Sequence, residues 1–137
     1  MAGIRDAGNT EYDEDTPTPL IVLASCPVPD RPDDAPLLSG KLRIRLSPDS
    51  LAFRIYRLPE ITEEFNCNYE LNPAYRDVIE AEGLRVSGTG EDGGARIVEL
   101  PGHLFFLATA FQPQLTSEEG RPHPLITSYL QAASGRT

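Results

Sequence analysis

Long apolar runs are absent from this chain. None of its 137 residues belongs to a stretch near the ~18 apolar residues that cross a bilayer, so no membrane partner is expected. The opening Met1-Ala-Gly-Ile-Arg-Asp-Ala-Gly8 also carries no apolar core of a signal peptide. Basic charge is scarce. Twelve Lys and Arg face 21 Asp and Glu, for a net charge of -9. That balance argues against a nucleic-acid partner, whose phosphates are bound largely by neutralising Lys and Arg. Cysteine is nearly missing too. Cys26 and Cys67, with no secretory signal, read as free thiols of a cytoplasmic protein rather than a disulfide. There is no Cys/His cluster, no P-loop and no Gly-rich dinucleotide fingerprint, so neither a metal nor a cofactor is expected.

What remains is an ordinary globular composition. The chain is 39% hydrophobic, with a mean hydropathy of -0.31. At this size it fits one domain, burying roughly 68–70% of its unfolded surface. Charge is unevenly spread: residues 1–36 hold eight acidic and two basic side chains and 6 of the 13 prolines. This segment reads as an acidic, Pro-rich lead-in around one strand, a solvated face rather than an interaction tail. Residues 37–137 read as sheet, hairpin and C-terminal helix.

The apolar run Pro19-Leu-Ile-Val-Leu-Ala24 predicts a buried strand, and residues 28–36 a loop. Leu42-Arg-Ile-Arg-Leu46 alternates as a strand with one wet face. Ser47-Pro-Asp-Ser50 is turn chemistry before a helical turn over residues 51–56. Residues 61–71 alternate again, through Phe65, Cys67 and Tyr69. Asn72-Pro73 is an N-cap with proline at the first helical position, predicting a helix over 73–82 that Gly83 stops. Its apolar stripe is Tyr75, Val78, Ile79 and Ala81, with Glu82 at the wet edge. Residues 84–88 and 95–100 flank Glu91-Asp-Gly-Gly94 as a β-hairpin. Residues 105–111 predict a strand buried on both faces, and Pro124 opens an amphipathic helix through Ala133. His103 and His123 fall in turns, neither with a partner at metal-ligand spacing.

Behind the apolar strand stands Phe111-Gln-Pro-Gln114, which resembles the Phe-His-Pro-Glu signature of class I glutamine amidotransferases. Other segments, in order, are similar to the glutaminase domain of CTP synthase. Asn9-Thr-Glu-Tyr12 and Asp15-Thr-Pro-Thr-Pro-Leu20 resemble its Asn-Ser-Thr-Glu-Phe and Asp-Thr-Pro-His-Pro stretches. Tyr69-Glu-Leu-Asn72, Glu82-Gly-Leu-Arg-Val-Ser-Gly88, Val98-Glu-Leu-Pro101 with His103, and His123-Pro-Leu125 continue the series. Glu63-Glu-Phe-Asn-Cys-Asn-Tyr69 and Phe111-Gln-Pro-Gln114 further resemble the CTP synthase C-terminal region-related (seleno)protein group. The resemblance implies an α/β fold: the rear half of a doubly wound amidotransferase-like domain, a mixed sheet with flanking helices.

Carried over residue by residue, the resemblance implies a site with its chemistry removed. The family carboxylate that holds the substrate amino group falls on Glu11, which is retained. The Arg that binds the substrate carboxylate falls on Asn68, which loses the cationic fork. The general base and its orienting acid fall on Gln112 and Gln114. A glutamine amide has no nitrogen that titrates near neutral pH and so cannot shuttle a thiol proton. Plainer readings are one more exposed acid at Glu11, a strand residue at Asn68, and polar strand-end residues at Gln112 and Gln114. Neither cysteine stands in a nucleophile elbow, which would precede residue 1. Met1-Ala-Gly-Ile4 stands where the family reads Val-Ala-Gly-Ile or Val-Ala-Gly-Leu, so Met1 is expected to be an internal start. The expected ligand is glutamine or a related amide, and the expected partner a missing front half or a second copy. Family activity is glutamine hydrolysis supplying ammonia for CTP synthesis; the chain alone is expected to be inactive, with a non-catalytic binding or regulatory module as the alternative.

Overall fold

The computed structural model describes residues 3–24 and 39–135. Cys26 and the loop expected over 28–36 lie outside the described residues.

Two sheets form where a single mixed sheet was expected. In the larger, β3 (Ser39–Leu46) pairs with β4 (Glu60–Asn66) on one side and β6 (Arg85–Gly90) on the other. β7 (Ala95–Glu99) and β8 (Leu107–Thr109) follow, giving the order β4-β3-β6-β7-β8, antiparallel throughout. The smaller sheet has β2 (Thr18–Leu23) between β1 (Ala7–Asn9) and β5 (Tyr69–Leu71). The β1–β2 pair is the one parallel pairing among the described residues, so these residues do not make a doubly wound sheet.

Alternation sets the core. On β3, Ile44 and Leu46 are buried while Arg43 and Arg45 stay in water. Ile61 and Phe65 of β4 and Ile97 of β7 join them, beneath α1 (Leu51–Tyr56) and α3 (Pro124–Ala133), which contribute Ala52 and Leu125. Ser50 caps α1 through Phe53 N–H at 3.0 Å. The buried Glu99 carboxylate takes the Leu51 amide at 3.0 and 3.1 Å and the Ala52 amide at 3.3 Å. A carboxylate buried at a helix N-terminus is thus satisfied by amides that lack helical partners.

Several expectations need correction. The lead-in holds two strands, not one, because β1 is only three residues with Gly8 at its centre, too short and glycine-rich to show a pattern. β2 is half-buried rather than buried: Leu20 and Ile21 border a cavity, and Leu23 is 61% exposed. The alternation over 61–71 is two strands in two sheets, β4 and β5, and Cys67 lies in the connection between them. The 73–82 helix is a 3₁₀ turn (Pro73–Tyr75) followed by α2 (Arg76–Ala81). Asn72 caps it as expected, accepting Ala74 N–H at 3.0 Å, and Gly83 has φ +93°. Of the expected stripe only Ile79 is buried, while Val78 and Ala81 are exposed, because the short helix meets the sheet on a narrow line. The strand expected over 105–111 pairs as a strand only at Leu107–Thr109 and is half-exposed there, being the last strand of its sheet, while Phe111 is buried in the core as expected. The hairpin and α3 stand as expected.

Candidate functional site

A half-open cavity of about 430 Å³ lies between the small sheet, α2 and the β7–β8 face opposite the core. Ile97 points into the core while its neighbours Arg96 and Val98 border the cavity, as the two-residue period of a strand requires. Leu20, Ile21, Leu71 and Phe106 supply further apolar wall, and Glu11 and Gln112 stand among its polar lining.

Glu11 sits in the turn after β1, exposed, its N–H bonded to Asn9 Oδ1 at 2.9 Å. Its carboxylate makes no ion pair among the described residues. Asn68 lies in the β4–β5 connection between two lining residues, Cys67 and Tyr69, but does not itself line the cavity. Its carbonyl accepts Ala24 N–H at 2.6 Å.

Gln112 is engaged elsewhere than in chemistry. Its Oε1 accepts Asn66 N–H at 2.7 Å, and its Nε2 donates to Asn66 O at 3.4 Å. The side-chain amide therefore pairs with the end of β4 as a strand peptide would. Gln114 occupies the exposed side of a 3₁₀ turn over Pro113–Thr116. Of the four expected site residues, the cavity thus brings together Glu11 and Gln112 and leaves out Asn68 and Gln114. The half-buried Cys67 thiol lies 3.6 Å from Tyr69 O and accepts Tyr69 N–H at 3.4 Å, closing a local turn without an elbow.

Two polar clusters escape sequence reasoning. Arg96 is buried, its Nη1 2.6 Å from Glu70 of β5 and its Nη2 bonded to Asp92 of the hairpin turn. It pins the small sheet to the large one at the cavity wall. Gly90 makes room for it: a Cβ there would lie 2.9 Å from Arg96 Nε. The second cluster lies on the core side. Glu63 Oε1 accepts from Tyr56 OH at 2.6 Å and sits 3.0 Å from His123 Nε2; Thr116 Oγ1 reaches Oε2 at 3.5 Å. His123 caps α3, accepting Leu125 N–H on Nδ1 at 3.2 Å, so its proton is on Nε2 and points at Glu63. The expected turn position of His123 is therefore a buried cap. One signal was in the sequence: Glu63 falls in phase with Ile61 and Phe65, on the core face.

Among the described residues no group of three or more His, Cys, Asp or Glu is placed to hold a metal ion. None of their helices is long and apolar enough to cross a membrane.

No family model matches the chain. Curated relatives do. The CTP synthase of Microcystis aeruginosa is 40% identical over 139 residues, covering 97% of this chain and 24% of that protein. That of Pelotomaculum thermopropionicum is 41% identical over 134 residues, with 97% and 25% covered. Among solved structures, the glutaminase domain of Trypanosoma brucei CTPS with bound acivicin superposes with a TM-score of 0.86. It is 25% identical and covers 100% of this chain and 54% of its own. The chain is homologous to the glutaminase region of CTP synthase. It spans about a quarter of the length of the curated CTP synthases it matches. The amidotransferase resemblance of its ordered motifs is thereby shown at the level of homology, and its two-sheet fold is that of the CTPS glutaminase structure.

Proposed function

We propose that the chain is a ligand-binding relative of the CTP synthase glutaminase that does not itself hydrolyse glutamine. The observation that carries this reading is the Gln112 amide, held on both its atoms by the backbone of Asn66. A group so placed neither titrates nor swings toward a nucleophile. Gln114 turns to solvent, and the Cys67 thiol closes a turn. The cavity bordered by Glu11 and Gln112 is large enough for a small ligand, and the run Glu63 to Tyr69 with Phe111-Gln-Pro-Gln114 favours the CTP synthase C-terminal region-related group. We place the protein in the cytoplasm with no cofactor.

Two measurements test it. Purified chain incubated with glutamine is expected to release ammonia no faster than buffer. The double substitution Gln112→His and Gln114→Glu is expected to leave that result unchanged. Catalytic groups act as a unit, and loss of one key member alone costs on the order of a millionfold. Turnover in the double variant, abolished by Cys67→Ala, would overturn the reading.

A second reading is favoured by coverage. The chain matches 54% of the solved glutaminase domain, and its cavity is half-open on the face opposite the core. A separate front half bearing a nucleophile, or a second copy of this chain, would then close the cavity. Light scattering and the coding sequence upstream of Met1 separate the two. A monodisperse monomer with unrelated upstream sequence speaks against both partners.

A further inference from the structure

The outer edge of β8 is open. Its ladder to β7 uses alternate residues: the Ala110 amide donates to Arg96 O at 2.9 Å, and the Phe106 carbonyl accepts Leu100 N–H at 3.3 Å. Leu107 and Thr109 therefore turn their peptide groups away from β7, to a side where no described residue bonds to them. Open edges are commonly guarded by lysine, proline or a bulge, and Leu107–Thr109 has none of these. The surface beside this edge is uncharged. In a chain that is 24% charged, no charged residue falls between Leu104 and Ser117 or anywhere in α3. An open groove of about 260 Å³ runs between β8 and α3, with Phe105, Leu107, Ile126 and Tyr129 in its uncharged lining. Leu104, Tyr129 and Leu130, each more than half exposed, add further apolar surface. A contiguous face of this kind marks an interaction site.

We propose that β8 pairs antiparallel with β8 of a second copy of this chain, about a twofold axis through Ala108. This deepens the second-copy alternative above and rests on it. Two observations choose this occupant. The first is charge. Each copy carries -9, so two copies repel over most of their surfaces and meet without that cost on the uncharged β8–α3 face. The second is self-complementarity, which an isologous interface requires of a single patch. With Ala108 opposite Ala108 of the second copy, Leu107 of each copy faces Thr109 of the other. Those are the residues whose peptide groups point outward, so each facing pair exchanges both of its N–H···O bonds. The exposed Ala108 methyl lets the strands close on each other at the axis, and the two uncharged α3 helices come to lie on one face of the joined sheet.

Sedimentation velocity of the intact chain is expected to show a monomer–dimer equilibrium in the roughly micromolar range, the strength of a small interface. Ala108→Glu sets two like charges face to face at the axis and should weaken the dimer about tenfold or more. Ala108→Lys should do the same. An equimolar mixture of the two variants should recover a dimer holding one copy of each, which misfolded variants could not give. Leu58→Glu places the same charge on an exposed leucine beside β4, the opposite edge of the sheet, and should leave assembly unchanged. Amide hydrogen exchange of the parent chain gives a second measure: Leu107 and Thr109 should exchange more slowly as concentration rises. A chain that stays monomeric throughout overturns the proposal together with the second-copy alternative, leaves the ligand-binding reading standing, and gives this face to a front half. A dimer indifferent to both Ala108 variants, or one whose Leu107 and Thr109 amides gain no protection, overturns the placement on β8 alone.

Discussion

Arg96→Ala is expected to lower stability by about 3–5 kcal/mol, the usual cost of breaking a buried ion pair by removing one member. For a chain of this size that is a fall in Tm on the order of 10–20 °C. The side chains of Arg96 and Glu70 are each 4% exposed, so the guanidinium contact is lost where little water can replace it. Arg96 also joins β7 to β5, and hence the large sheet to the small one, and through Asp92 it fixes the hairpin turn. Loss of the pin should therefore loosen the cavity as well as the fold. The comparison that isolates this cause is Arg96→Met combined with Glu70→Leu. It removes both charges and fills similar volume, so it should cost much less than Arg96→Ala alone. Asp92→Asn should cost less again, because Asp92 is 32% exposed. Denaturant melts within about 1 kcal/mol of the parent for Arg96→Ala would show that the pair does not hold the sheets together.

That pin also marks the limit of what the sequence discloses. Where a side chain answers to its own neighbours, the residues were enough. Ser50 before α1, Asn72-Pro73 before the 3₁₀ turn, the Glu91-Asp-Gly-Gly94 turn and His123-Pro124 before α3 all lie where local chemistry puts them. The Leu42–Leu46 alternation likewise predicts its buried face. Partners distant in sequence were hidden. Residues 61–71 keep one alternating pattern across Cys67 and Asn68, yet the chain changes sheets there, because period alone cannot say which strand lies alongside. Arg96 reads as a wet residue between Ala95 and Ile97; only the fold places Glu70, 26 residues away, against it. For the site, the resemblance singled out Glu11, Asn68, Gln112 and Gln114; the structure places the first and third at one cavity and ties Gln112 to Asn66, neither of which the residues disclose. The apolar run over 105–111 was legible as hydrophobic and, up to Ala110, misleading as buried, since β8 ends its sheet and Phe105 instead meets Tyr129 edge to face at 5.6 Å; Phe111 alone is buried in the core.

The cluster of Tyr56, Glu63 and His123 gives the other large expected effect. It connects four elements: α1, β4, the turn that follows Gln112, and the start of α3. Glu63→Ala is expected to cost about 3 kcal/mol, because it leaves the Tyr56 hydroxyl and the His123 Nε2–H without their shared acceptor. Tyr56→Phe removes the donor to Glu63 and the weaker 3.3 Å contact with His123 Nε2 but leaves the Glu63 carboxylate in place for His123, so it should cost about half as much. His123→Asn should fall between them, since asparagine can cap Leu125 while losing the link to Glu63. Alkaline pH tests the same contact. Burial first, and then the Glu63 carboxylate, hold the Tyr56 phenol above its ordinary range. A raised value in the folded state means a contribution fully present below the free phenol's roughly 10 and lost as the pH rises toward the folded value. The parent should therefore lose stability more steeply above pH ~10 than Tyr56→Phe does. Nitrogen NMR should find His123 protonated on Nε2, with Nδ1 accepting from Leu125. If Glu63→Ala and Tyr56→Phe add with no coupling energy in a double-mutant cycle, the cluster does not act as one unit.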